Sequence, residues 1–211
     1  MTGQLESHMP RTQQQRSEET IARLLDASID TIIEFGYART SAALIAKRAQ
    51  MSDGALFRHF PTMRDLMAAT LREAGRRQLE LYASRIAQIP ADTQASEAVL
   101  PILRDITCNP TNEVIYELAV AARTDEKLRA ALKDELEIFD KKIFDAAKAT
   151  PSADELKALG EENFEALVTV LINTFDGAAI FRYLRRQTQT QVEERRIPML
   201  MSLLNAARPT G

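Results

Sequence analysis

Between Thr40 and Phe60 the chain has room for two short helices and little else. Thr40 or Ser41 can cap the first, which runs from about Ala42 to Ala49. Ser52 opens the second, from about Asp53 to His59, and Pro61 forces Phe60 out of helical geometry. Two short helices so close in sequence have to cross steeply, as in a helix-turn-helix. Ala43, Ala46 and Ala49 are small enough to let them approach, and Ile45, Met51, Leu56 and Phe60 can plug the joint against a preceding helix.

The rest of the chain obeys the same period. Apolar residues recur at helical spacing and strand alternation is nearly absent, so the expected class is all-α, with about nine helices. The first spans Glu18 to Phe35, capped by Ser17, with Ile21, Leu24, Leu25, Ser28, Ile32 and Phe35 as its stripe and Gly36 as a left-handed terminator. Thr62 opens a long helix to about Gln88, with Asp65 as capping-box partner. A loop follows over 89–96, then helices near 95–107, 111–123, 125–149, 161–187 and 191–207. The expected organisation is a flexible arm at 1–15, a three-helix helix-turn-helix domain at 16–62 and a larger helical domain at 63–211.

Several function classes are disfavoured by what the chain lacks. Cys108 is the only cysteine, so no disulfide can form within the chain and a reducing compartment, the cytoplasm, is expected. With only His8 and His59 besides, no metal site of normal spacing, no cofactor and no Ser/His/Asp set is suggested, and no phosphate-cradling glycine loop is seen; an enzyme is not expected. No apolar stretch reaches the roughly 20 residues of a membrane span, so no membrane partner is expected. Net charge is −3, but residues 10–86 hold 12 Lys/Arg against 9 Asp/Glu while 87–211 hold 15 against 20. A mildly basic front and an acidic back are compatible with an N-terminal nucleic-acid site without identifying one.

The short second helix suits a duplex groove. Ser52 can donate to a phosphate or a base edge, Asp53 can accept from a cytosine amino group, and Gly54 and Ala55 permit close approach, Ala55 to a thymine methyl. Arg58 and His59 lie toward the far end, where phosphate contact is expected. The arm from Arg11 to Arg16 suits phosphate or minor-groove contacts, and equally a solvated tail.

Gly36-Tyr37, Thr40-Ser41, Ile45-Ala46, Ala49, Ser52, Gly54, Leu56-Phe57 and His59-Phe60 together resemble the N-terminal domain of the TetR family of regulators, in register over roughly residues 18–67. Residues 117–128 resemble, more loosely, the ligand-binding domain of one subset of that family. The resemblance implies DNA contacts by Thr40, Ser41, Ser52, Gly54 and His59, with Phe57 a poorer contact. Three positions depart from the family pattern. Gln50 stands where a turn glycine is common, at about 1–2 kcal/mol for a left-handed non-glycine residue. Phe57 replaces a tyrosine and so lacks a phosphate-bonding hydroxyl, and Met63 replaces a backbone-touching lysine. Arg58, Arg64 and Lys47 are the residues placed to compensate.

In the back half, Phe164, Leu167, Val168, Leu171, Phe175 and Ala179 make one apolar face, while Ile172, Gly177, Ile180, Phe181 and Leu184 cover much of the rest. A helix apolar all round needs cover on two sides. With Leu200, Leu203 and Leu204 of the last helix, Gly177, Ile180, Phe181 and Leu184 form a candidate homodimer interface, a two-fold four-helix packing that the resemblance also implies. Candidate ligand residues are Tyr116, Phe139, Phe144, Asn173 and Asp176, on otherwise apolar inner faces and so suited to a largely apolar effector. The two phenylalanines read more readily as core, and Asp176 also as the partner of an arginine across a dimer. The expected function is a ligand-responsive regulator, a repressor in the first instance. It would bind a pseudo-palindromic double-stranded DNA operator as a dimer and be released by a small molecule. The alternative is a helical ligand carrier or protein-interaction module without sequence-specific DNA binding.

Overall fold

A computed structural model describes residues 12–90, 95–150, 160–184 and 190–206. Among them are nine α-helices and no strand: α1 (Gln13–Phe35), α2 (Ala42–Arg48), α3 (Asp53–His59), α4 (Met63–Ile86), α5 (Ala95–Thr107), α6 (Pro110–Ala122), α7 (Glu126–Lys148), α8 (Glu161–Phe181) and α9 (Thr190–Ala206), with a 3-10 turn at Tyr37–Arg39. Residues 1–11 of the expected arm, the break at Pro151-Ser152 and residues 185–187 of the expected helix over 161–187 lie outside the described residues.

The helix ends follow their capping chemistry. α1 starts five residues before the expected Glu18, because Thr12 and Gln15 form a reciprocal capping box and Ser17 is therefore not the cap. Residues 13–15 of the expected arm are thus helical. Gly36 ends α1 at φ 75, ψ 158, a glycine conformation with extended ψ rather than the left-handed helical terminator expected. Of the two candidate caps for α2, Ser41 is the one used, its Oγ accepting from Leu44 N at 3.3 Å, while Thr40 Oγ1 donates to the Gly36 carbonyl at 2.9 Å. Thr62 and Asp65 cap α4 reciprocally, as expected. α5 and α9 run through Pro101 and Pro198, each of which removes one internal N–H from its helix.

α4 is the spine. Its first half packs Leu66, Met67 and Thr70 on α1, where Thr70 Oγ1 donates to the buried Ser28 Oγ at 2.8 Å. Its second half packs against α5, α6 and α7. A single apolar cluster holds Leu24 and Ile32 of α1, Ile45 and Leu56 of the helix-turn-helix, Leu66 and Leu71 of α4, Leu118 of α6 and Leu132 of α7. The boundary expected at 62/63 falls where α4 begins, but the core runs across it. Ion pairs reinforce the same spine: Arg77 reaches Asp26 of α1, and Arg72 holds Glu135 of α7 through two 2.9 Å bonds. Within α4, Glu73 accepts from Arg76 and Arg77, which hold its carboxyl down at about 2.

α8 corrects one expectation. By length and composition it is the one described helix that could cross a membrane. Its buried face, Phe164, Val168, Leu171 and Phe175, packs toward α5 and α7. The opposite side carries Val170, Ile180 and Phe181 at 43–56% exposure.

Candidate functional site

The turn between α2 and α3 is built by backbone bonds around one residue in an unfavourable conformation. Gln50 is the only non-glycine residue with positive φ among the described residues, at 55°. Gln50 N donates to Lys47 O at 3.1 Å and Met51 N to Ala46 O at 2.8 Å. That pair of bonds is a Schellman termination with glutamine in the left-handed position that glycine usually takes. Arg23 of α1 donates to the Ala49 carbonyl and ties the turn down. Replacing Gln50 by glycine relieves the left-handed strain and is expected to raise stability by about 0.5–1 kcal/mol with the turn unchanged. A thermal melt of Gln50→Gly that is unchanged or lower would refute this account of the turn.

α3 is seated by Leu56 and Phe60, both buried, with Ile45, Ala46 and Ala49 of α2 closing the joint. Ala43 is exposed and takes no part, because it lies on the face of α2 turned from α1. Ser52 caps α3 through Oγ, which accepts from Ala55 N at 3.2 Å. Ser41, Ser52, Asp53, Gly54, Phe57 and Arg58 form the exposed side of the motif, and Thr40, Ala55 and His59 are half-buried on its flanks. Nothing lies within 4 Å of where a Gly54 Cβ would stand. Phe57 is 42% exposed, so the ring that replaces the expected tyrosine faces outward on the same side as Arg58.

The second feature is a cavity of about 150 Å³ lined by α4 to α8 and open on one side. Three of the five residues expected to face a ligand line it: Tyr116, Phe139 and Asp176. Phe144 does not, since it packs into the neighbouring cluster of Phe164 and Val168. Asn173 does not either; it is exposed, on the side of α8 opposite its buried face. Tyr116 donates to Asp176 Oδ1 at 2.7 Å. Asp176 therefore has its partner within the chain, while Arg182 holds Glu113 and the Cys108 carbonyl. Burial pushes the Asp176 carboxyl up from its ordinary value, against the pull of the Tyr116 bond. Burial, and then the neighbouring Asp176, push the Tyr116 hydroxyl far above its own. Phe139 crosses α4 where Gly75 leaves room; a Cβ there would stand 2.8 Å from its ring.

Sequence reading missed Gln78, Tyr82, Asn112 and Thr150, all of which line the cavity. Gln78 had a signal, being polar on the Leu71–Ala74–Gly75 face of α4. It also missed Glu117, whose Oε2 accepts from Tyr37 N at 2.8 Å and so joins α6 to the N-terminal helices. Of the candidate interface residues, Ile180, Phe181, Leu184 and Leu203 are exposed, and Gly177 has open space above it. Leu200 points inward, packing with Leu100, Leu171 and Phe175, because its neighbours Ile197 and Met201 share that face. The Leu204 side chain lies outside the described residues.

A helix-turn-helix carried on an all-helical body with an internal cavity defines a class of bacterial transcriptional regulator. Residues 24–70 match the family model described as bacterial regulatory proteins, tetR family. An uncharacterized HTH-type transcriptional regulator of Mycobacterium tuberculosis is 59% identical over 198 residues, covering 94% of this chain and 99% of that one. The HTH-type transcriptional regulator CymR of Pseudomonas putida is 28% identical, over 60% of this chain and 63% of its own. Among solved structures, the multidrug binding protein EbrR complexed with imidazole has a TM-score of 0.58 at 24% identity, covering 75% of this chain and 83% of that one. A putative transcriptional regulator from Saccharomonospora viridis in complex with choline has a TM-score of 0.59 at 17% identity, covering 81% and 88%. The chain belongs to the TetR family. It is a DNA-binding transcriptional regulator and not an enzyme, which decides against the carrier reading.

Proposed function

We propose that the protein is a repressor that binds a pseudo-palindromic operator as a homodimer in the cytoplasm and leaves it when a small, largely apolar molecule enters the cavity. The observation that carries this reading is the double role of α6. Asn112, Ile115 and Tyr116 line the cavity, while Glu117 holds the Tyr37 amide and Leu118 is buried in the core shared with α1. An effector that prefers one position of α6 biases the helix-turn-helix through those same contacts, to the extent of its differential affinity for the two states. Structures of the same fold carrying imidazole and choline support a small-molecule role for such a body. Ser52, Asp53, Gly54 and Ala55 read base edges, with Thr40, Ser41, Phe57, Arg58 and His59 toward the backbone.

Selection from a random duplex pool tests the operator. The expected product is a symmetric site whose half-sites lie one or more helical turns of about 34–36 Å apart. Enrichment of asymmetric sites only, or of none, would overturn the dimeric reading. Glu117→Ala tests the coupling. The freed Tyr37 amide is near solvent, so operator affinity should stay within about threefold. The ratio of operator affinities without and with an effector should fall about fivefold or more, the scale of an allosteric coupling energy. An unchanged ratio in anisotropy titrations would remove α6 as the coupling element.

A further inference from the structure

The walls of the cavity carry information about what it accepts. Gln78 of α4 lines it and is 8% exposed. Its Nε2 donates to the Ile106 carbonyl, in the last turn of α5, at 3.2 Å. That bond fixes the orientation of the amide, since turning it over would set two oxygens against each other. Gln78 Oε1 is then the one buried side-chain nitrogen or oxygen without a hydrogen-bond partner among the described residues. An orphaned acceptor in a dry site is costly, and a ligand that donates to it recovers that cost.

Apart from the second N–H of Gln78 Nε2, the donors of this wall are already used. The Asn112 amide donates to the Thr107 carbonyl at 3.3 Å and to Tyr116. The Tyr116 hydroxyl goes to Asp176. What remains for a ligand is acceptor-rich: Gln78 Oε1 and the Asp176 carboxyl. No Lys, Arg or His among the described residues lines the cavity. The volume of about 150 Å³ suits a buried portion of about one aromatic ring, since apolar protein cavities of roughly that volume hold one benzene ring.

We infer that the effector is a neutral or cationic molecule of about one aromatic ring whose polar group donates a hydrogen bond to Gln78 Oε1, and that carboxylates of the same size are rejected. This inference rests on the cavity being the effector site. Its test is calorimetric titration of the full chain with four matched probes: toluene, benzyl alcohol, benzylamine and benzoate. Benzyl alcohol or benzylamine is expected to bind about tenfold tighter than toluene, the worth of one buried hydrogen bond, with benzoate weakest. The alcohol and amine arms distinguish a neutral donor from a charged one. Gln78→Met keeps the length of the side chain and removes the acceptor, and it should bring the better donor down to the level of toluene. Benzoate binding as tightly as benzyl alcohol would overturn the inference. So would toluene binding with no gain for either donor, and that result leaves an apolar effector site standing. No binding by any of the four overturns the effector reading as well. The wild-type series stands on its own if Gln78→Met does not fold.

Discussion

Gly54→Leu will abolish operator recognition while making the free protein slightly more stable. The two effects have opposite signs because, on the proposed reading, the glycine serves DNA and not the fold. Nothing beyond its own helix backbone and chain neighbours lies within 4 Å of where its Cβ would stand, and Gly54 is in the first turn of α3, where the backbone freedom of glycine still costs part of the roughly 1 kcal/mol it costs in a helix interior. A leucine there recovers part of that cost. On the duplex the same side chain fills the space between α3 and the base edges in both half-sites. A loss of at least about 100-fold in specific affinity is expected, the scale of losing readout at several base pairs. Binding to random duplex, carried by phosphate contacts, should persist with its salt dependence. Anisotropy on the selected operator, together with a thermal melt, reads both. Wild-type operator affinity in Gly54→Leu would show that α3 does not face the bases.

How much of this was legible beforehand depended on whether the deciding physics was local. α3 was read to the residue, because Ser52 at one end and Pro61 beyond the other are local signals that packing had no reason to override. The start of α1 was misplaced for a local reason too: Thr12 and Gln15 are a capping pair inside a polar run that reads as a tail. Gln50 is a different case. The sequence shows an unfavourable residue at the turn, and only the two Schellman bonds show that the turn keeps its geometry and bears the strain. The cavity was half legible. Tyr116 and Asp176 stood out as polar residues on apolar helices, but which phenylalanine faces the cavity is set by the crossing of α4 and α7. Phe139 sits over Gly75 at that crossing, whereas Phe144, five residues on, points to α8. Glu117 carried no local signal, since an exposed glutamate on a helix gains its meaning only from a backbone amide far away in sequence.

In the proposed dimer, Phe181→Glu should separate the protomers without unfolding them. Phe181 is 51% exposed, beside Ile180 at 43% and Leu184 at 78%. Phe181 belongs to none of the apolar clusters among the described residues, so stability of the protomer should change by no more than about 0.5 kcal/mol. In a two-fold interface the substitution appears twice, and each carboxylate loses its water on an apolar surface with no cation supplied by the neighbouring Ile180 or Leu184. Sedimentation should therefore show monomer at concentrations where the wild type is a dimer. Operator affinity should fall by about 100-fold or more, because the second half-site is no longer held at high effective concentration. The loss differs in kind from that of Gly54→Leu. A monomer neutralises about half as many phosphates, so the slope of log affinity against log salt should be roughly halved, whereas Gly54→Leu leaves the dimer and its nonspecific salt slope intact. A Phe181→Glu protein that still sediments as a dimer would move the interface off the exposed face of α8. One that dissociates yet binds the operator with the wild-type slope would detach DNA binding from dimerisation altogether.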